Sequence, residues 1–195
     1  MGATGESRHR LARYDGIAIA LHWLTALLVI GLAGVGFWMT DLKPSPTKIE
    51  VHNWHKWFGL TVLALTAVRL AWRATHRPPP LLVASRAKRA LAHAVHGLLY
   101  LLLLAMPLTG WLMNSAAGFP LTWFGLFRVP PLIERSREAF ELWRDVHAVL
   151  AVVLLALVAL HVAAALKHRF VDRDATLARM GLGRTPREDG TITRS

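Results

Sequence analysis

The chain has no cysteine. Disulfides, thiolate-held iron–sulfur clusters, cysteine zinc sites and haem attached covalently at C-x-x-C-H are thereby excluded. Charge is scarce too: 18% of the 195 residues are Asp, Glu, Lys or Arg, against roughly 25% in an average soluble domain. Acids are the scarcer sign, with 12 Asp+Glu against 23 Lys+Arg and a formal net charge of +11. Internal repeats and low-complexity tracts are missing as well. What fills the chain is apolar: 54% of residues are hydrophobic, and the mean hydropathy is +0.37. A water-soluble fold of this size has too little interior to hide that much apolar surface.

The apolar residues gather in four runs, at about 16–40, 53–72, 91–114 and 146–166. The third lies in an uncharged stretch, 90–127, that Gly118 and Pro120 interrupt. A helix needs about 20 apolar residues to cross the hydrocarbon core, and only helices satisfy their own backbone there. The pattern predicts an all-α bundle of four transmembrane helices. It forms one membrane domain over 1–180, followed by a flexible cytoplasmic tail at 181–195. The first run is too long for the apolar part of a cleaved signal peptide, and no small-residue cleavage pattern follows it.

Loop charges set the orientation. Arg8, Arg10 and Arg13 precede the first span, and Arg69, Arg73, Arg77, Arg86, Lys88 and Arg89 lie between or beside spans two and three. Lys167, Arg169, Arg173, Arg179, Arg184, Arg187 and Arg194 follow span four, which puts 16 of 23 cations on one side. The positive-inside rule places that side, and both termini, in the cytoplasm. This is ordinary topology charge, so the expected partner is membrane lipid and not nucleic acid. Three prolines at 78–80 read as a stiff spacer in the inner loop. The aromatic segment 122–127 is expected along the outer interface.

There are 10 histidines, and six lie in or at the ends of spans: His22, His55, His93, His96, His147 and His161. Imidazole is costly in hydrocarbon unless it is paired or ligated; a helix–helix hydrogen bond is the plainer use. His147 and His161 are 14 residues apart, about 40° short of four full turns, so they face one way with a rise of about 21 Å. By depth, His55 pairs with His147 near the outer surface and His22 with His161 near the inner one. His96 competes with His161 as the partner of His22, and spacing does not exclude it; the facing pair on one helix favours His161. His93 opens the third span beside His96. His52 lies further out than His55, and His9 and His76 read as solvated.

Two stacked imidazole pairs in a bundle core suit haem. Zinc wants four ligands at each site, and no cysteine or carboxylate cluster supplies them. Haem iron needs two axial ligands, and bis-His ligation favours electron transfer. Gly31 and Gly59 are positions where a flat macrocycle can approach a helix backbone, although close helix packing explains them equally.

At these residues the sequence resembles the bacterial cytochrome b561 family of four-helix, dihaem membrane cytochromes. The likeness runs over 20–180. It includes A-L-H-W-L around His22, H-K-W-F-G at His55 followed by V-R-L at Arg69, and H-A-V-H-G-L-L-Y-L-L-L-L-A-M-P-L-T-G in the third span. It continues with W-R-D-V-H, A-L-H-V-A-A-A-L-K-H and D-R-D-A-T-L-A-R-M. The resemblance implies two haems b, with iron ligated by His22 and His161 on the inner side and by His55 and His147 on the outer side. It leaves His93 and His96 unligated.

Within the family the chain is most similar to the superoxide oxidase type. That likeness implies a superoxide:ubiquinone oxidoreductase, moving electrons from periplasmic superoxide to ubiquinone in the membrane. The alternative is a dihaem electron-transfer subunit that links a separate donor protein, of dehydrogenase or hydrogenase type, to the quinone pool. An outer rim of Lys43, Lys48, Lys56, Arg128, Arg135, Arg137 and Arg144 would steer a small anion, diluted by Glu134, Glu138, Glu141 and Asp145. His168, two turns beyond His161, is a candidate proton donor to quinone. Lys167 and Arg73 lie at similar depth, where snorkelling suffices to explain them. Arg69 would pair with a haem propionate or a phospholipid headgroup.

Overall fold

The computed structural model describes residues 13–76, 78–80 and 85–183. The expected tail beyond Gly183, together with Arg8, His9, Arg10 and Arg77, lies outside the described residues. Four long helices carry the chain: α1 (Gly16–Asp41), α2 (Pro46–Thr75), α3 (Arg86–Ala117) and α4 (Arg137–Phe170). An antiparallel hairpin, β1 (Leu121–Trp123) with β2 (Phe127–Val129), joins α3 to α4, and a one-turn helix, α5 (Thr176–Arg179), follows α4.

Capping chemistry, not hydropathy, sets the helix ends. Asp15 accepts the Ala18 amide at 2.8 Å, Ser45 accepts Lys48 N at 3.2 Å ahead of Pro46, and Ser136 accepts Ala139 N at 3.2 Å. Each of these side chains satisfies an amide that has no partner within its helix. The Ala18 amide also holds the Asp15 carboxyl below its usual range. The caps of α2 and α4 lie outside the apolar spans 53–72 and 146–166, so these helices run past them by one or more polar turns, and α3 runs past 91–114 from Arg86 with no side-chain cap. Gly118 ends α3 in the left-handed region, at φ 75.

The hairpin is the departure from an all-helical chain. Its backbone lies between helices, with no helical ladder to satisfy it, so two short strands pair with each other. Phe124 at φ 47 and Gly125 at φ 74 make its turn. Phe124 packs within 5.3 to 6.4 Å of Trp54, Trp57 and Phe58 on α2, and Trp123 donates its indole N–H to Thr61 at 3.3 Å.

In chain order each long helix packs on the next, and α1 and α4 meet across the core through side chains. The buried core is small: Val29, Val62, Leu102, Leu103 and Leu154. Thr25 and Thr66, among the most buried side chains, return their hydroxyls to Leu21 O and Val62 O. The large apolar side chains point outward instead, with Leu27, Ile30, Leu101, Val149 and Val152 each more than half exposed. Such a belt is unstable in water and natural in lipid. Helices α1, α3 and α4 are long and apolar enough to cross a membrane. In α2 the two charges inside its apolar stretch turn inward, Lys56 Nζ to Asn114 Oδ1 at 3.3 Å and Arg69 to His22.

At the end of the bundle away from the hairpin, the segments that flank α1 and follow α4 bind each other. Tyr14 N donates to Arg179 O at 3.3 Å, Trp23 Nε1 to Met180 O at 2.9 Å, and Arg179 to Pro80 O at 2.8 Å. Trp72 Nε1 reaches the Asp15 carboxylate at 3.1 Å, locking α2 to α1. This is called the terminal end below, and the other the hairpin end.

Candidate functional site

The four expected histidines meet in pairs. Toward the hairpin end His55 of α2 faces His147 of α4, with ring centroids 6.4 Å apart and planes at 76°. Toward the terminal end His22 of α1 faces His161 of α4 at 6.3 Å and 69°. Two imidazoles on opposite sides of one metal atom, with metal–nitrogen bonds of about 2 Å and ring radii of about 1.1 Å, place their centroids about 6.2 Å apart. Both pairs fit. His96 also reaches His161, but at 5.5 Å, too close for a metal to sit in line between them. His93 is exposed on α3.

The surroundings of the hairpin-end pair fit a bound group as well. A Cβ on Gly36 would stand 3.2 Å from His55 Cε1, and one on Gly110 would stand 3.3 Å from His147 Cε1. These glycines let the two rings approach α1 and α3 closely. Gly31 and Gly59 behave differently: a Cβ on either meets nothing, so helix packing does not account for them. Gly31 instead lines an apolar cavity of about 260 Å³ with Leu28, Val35, Trp54, His55 and Phe58. His55 Nδ1 is buried without a hydrogen-bond partner among the described residues. That costs about 1–3 kcal/mol and marks the ring as held for something other than protein.

The tautomers of the two pairs differ. Thr109 Oγ1 lies 2.8 Å from Met106 O, to which its single proton goes, and 3.0 Å from His147 Nδ1. The hydroxyl therefore accepts Nδ1–H, and the lone pair of His147 stays on Nε2, free for a metal. At the terminal end Arg69 donates to His22 Nδ1 at 2.9 Å while stacking on Tyr100 at 5.1 Å. A guanidinium only donates, so Nδ1 is the acceptor and the proton of a neutral ring sits on Nε2. Ligation through Nε2 requires Arg69 to release Nδ1.

A family model described as prokaryotic cytochrome b561 matches residues 13–183. The chain belongs to the prokaryotic cytochrome b561 family. It is 36% identical over 180 residues to "Cytochrome b561 homolog 2" of Escherichia coli (strain K12), covering 91% of this chain and 95% of that one. It is 30% identical over 170 residues to "Cytochrome b561 homolog 1" of the same organism, covering 86% and 96%. It is 29% identical over 169 residues to "Probable superoxide oxidase CybB" of Yersinia pestis, covering 86% and 95%. Membership makes it a membrane electron-transfer protein and implies b-type haem.

Seen as a cytochrome b561, the bundle has a register that the histidines alone did not reveal. Each long helix repeats a site residue after 14 positions: His22 and Gly36 on α1, His55 and Arg69 on α2, His96 and Gly110 on α3, His147 and His161 on α4. One tier holds two imidazoles and two glycines. The other holds three imidazoles and an arginine. Gly36, Gly110 and Thr109 were therefore readable as partners of the histidines, through the 14-residue spacing and the T-G step in the third span.

Outside the tiers, His168 lies near the terminal end of α4 and binds Asp174 Oδ2 through Nδ1 at 2.7 Å. Lys167 binds Asp172 at 2.7 Å. The cationic rim of this cytochrome is thinner than its composition suggests. Arg137 pairs with Glu141 at 3.0 Å and Arg144 with Asp145 at 2.9 Å, and Arg135 lies against Gly118.

Proposed function

We propose that this cytochrome b561 is a superoxide:ubiquinone oxidoreductase of the bacterial inner membrane, with two haems b held one above the other in a bundle of four transmembrane helices. The observation that carries the reading is the pair of facing imidazole couples at 6.4 and 6.3 Å, joined by the 14-residue step of α4. Haem held this way supplies one-electron storage and transfer. His55 and His147 would hold the outer iron, and His22 and His161 the inner one. The inward turn of Lys56 and Arg69 supports counting α2 as the fourth span, since its charges have partners inside the bundle. The cation count supports a cytoplasmic side for the terminal end and both termini.

Two superoxide anions each give up one electron at the hairpin end and leave as dioxygen. The two electrons and two protons taken from the cytoplasmic side convert one ubiquinone to its quinol. His168 is the proton donor at the quinone. The name of the Yersinia pestis relative supports superoxide as the donor. The names of the two Escherichia coli relatives speak only of cytochrome b561, which favours, as the second reading, an electron-transfer subunit fed by a donor protein.

The test is rapid mixing of the purified, oxidised cytochrome with superoxide while the haem alpha band is followed, with and without a short-chain ubiquinone. Fast reduction, relieved only when quinone is present, is the expected result. Haem bands that ignore superoxide would overturn the superoxide reading and leave the subunit reading.

A further inference from the structure

The turn that follows α4 is built to deliver a carboxylate to His168. Arg173 adopts φ 52, a left-handed conformation that costs a non-glycine residue about 1 kcal/mol. The strain folds the chain back so that Asp174 N donates to His168 O at 3.1 Å. The Asp174 side chain then spans two partners: Oδ1 accepts Thr176 N at 2.8 Å and Oδ2 meets His168 Nδ1 at 2.7 Å. Both side chains are half-buried, at 30% and 22% exposure. Burial pushes the Asp174 carboxyl up, but hydrogen bonds from Thr176 and His168 outweigh it and hold the group below its usual range. It stays charged throughout the pH range of quinone chemistry.

We propose that Asp174 is the positioning residue of a carboxylate–imidazole dyad, holding His168 by Nδ1–H so that Nε2–H faces outward as the proton donor to the quinone oxygen. This rests on the reading of His168 as the group at the quinone. In the step, Nε2–H breaks and an O–H bond forms on the quinone; a haem held by His22 and His161 would supply the electrons. The imidazolium becomes neutral imidazole, and water on the terminal side returns the proton. Asp174 keeps its charge throughout, stabilising the imidazolium and fixing the tautomer. Other charged groups surround the ring. Asp172 Oδ2 lies 3.2 Å from His168 Nδ1, and Lys167 Nζ lies 2.7 Å from the same carboxylate and offsets it. On the packed α5, Arg179 is buried and donates to Pro80 O. The Lys167 ammonium also argues against a metal ion among His168, Asp172 and Asp174, since it already neutralises one carboxylate.

The test uses the full-length, haem-loaded protein. The haems are reduced chemically, and their reoxidation by a short-chain ubiquinone is followed across pH in wild type, Asp174→Asn, Asp174→Glu and His168→Ala. Asp174→Asn keeps the shape and the Thr176 bond but removes the charge. Expected are reoxidation slowed by about tenfold or more, an alkaline limb moved to lower pH, unchanged haem content, and partial rescue by Asp174→Glu. His168→Ala at the wild-type rate would overturn the quinone reading of His168 itself. A slow His168→Ala beside a normal Asp174→Asn would overturn the dyad alone. A slow Asp174→Asn with an unmoved pH profile or lost haem would reduce Asp174 to a structural tie and overturn it too. Should Asp174→Asn fail to fold, Asp174→Glu decides by the same profile, because it moves the carboxylate while keeping its charge.

Discussion

The two tiers of the bundle use the same residue pair and prepare it in opposite ways. At the hairpin end Thr109 fixes the His147 tautomer with Nε2 free, and Gly36 and Gly110 leave room beside both rings. At the terminal end the equivalent positions carry Arg69 and His96, and Arg69 occupies His22 Nδ1. The first tier is preset for a metal between two imidazoles. The second must shed a hydrogen bond to become so, and it gains a nearby positive charge in exchange. Haem at both tiers, as proposed above, would differ in potential from this asymmetry alone, because a cation beside a haem favours the reduced state.

The comparison breaks most decisively at a ligand. His147→Ala should lower haem content by about half, leaving the terminal-end haem spectrum intact; loss of both haems, or of neither, in a pyridine haemochrome assay would show that the tiers are not independent. Next in size is Thr109→Val, which strands the His147 Nδ1–H and should weaken haem retention at that tier about 10- to 100-fold, read by titrating haem into apoprotein. Arg69→Gln should lower the potential of the terminal-end haem by tens of mV, up to about 60 mV for a tenfold change, and leave the other unmoved. A redox titration that moves the hairpin-end haem instead would reverse the assignment. Smallest is Gly36→Ala, whose Cβ meets His55 at 3.2 Å. It should cost about 1 kcal/mol in thermal stability. Gly31→Ala, with open space around it, should raise the apoprotein's stability by up to about 1 kcal/mol, as Ala does for Gly inside a helix, and reveal any macrocycle on that face as a drop in haem occupancy.

Much of this was legible in sequence because it follows one helical period. The depth of each histidine comes from its distance to the span ends, and the facing of His147 and His161 from the number 14. What periodicity could not supply were contacts between helices. Spacing favours His161 over His96 as the partner of His22 without excluding His96; the structure sets the His22 and His161 rings 6.3 Å apart and puts His96 5.5 Å from His161. Asp174 was invisible as a site residue for another reason. It acts through a turn with a left-handed Arg173, a conformation no propensity announces. The hairpin was hidden by its apolar aromatics, which read as interfacial before their pairing is seen.

By itself the sequence determined the solvent, the long helices and the chemistry available. Apolar runs of about 20 residues require lipid, the lack of cysteine removes thiolate ligands while histidine is plentiful inside the spans, and the cation count gives an expected direction in the membrane. Only the tertiary structure decided which groups meet. It turned Lys56 and Arg69 inward, set Thr109 on His147 and Arg69 on His22, and folded Asp174 back to His168. The physical reason is one of range: burial and helical period act along the chain, while the tautomer of an imidazole is fixed by a single hydrogen bond from a residue dozens of positions away.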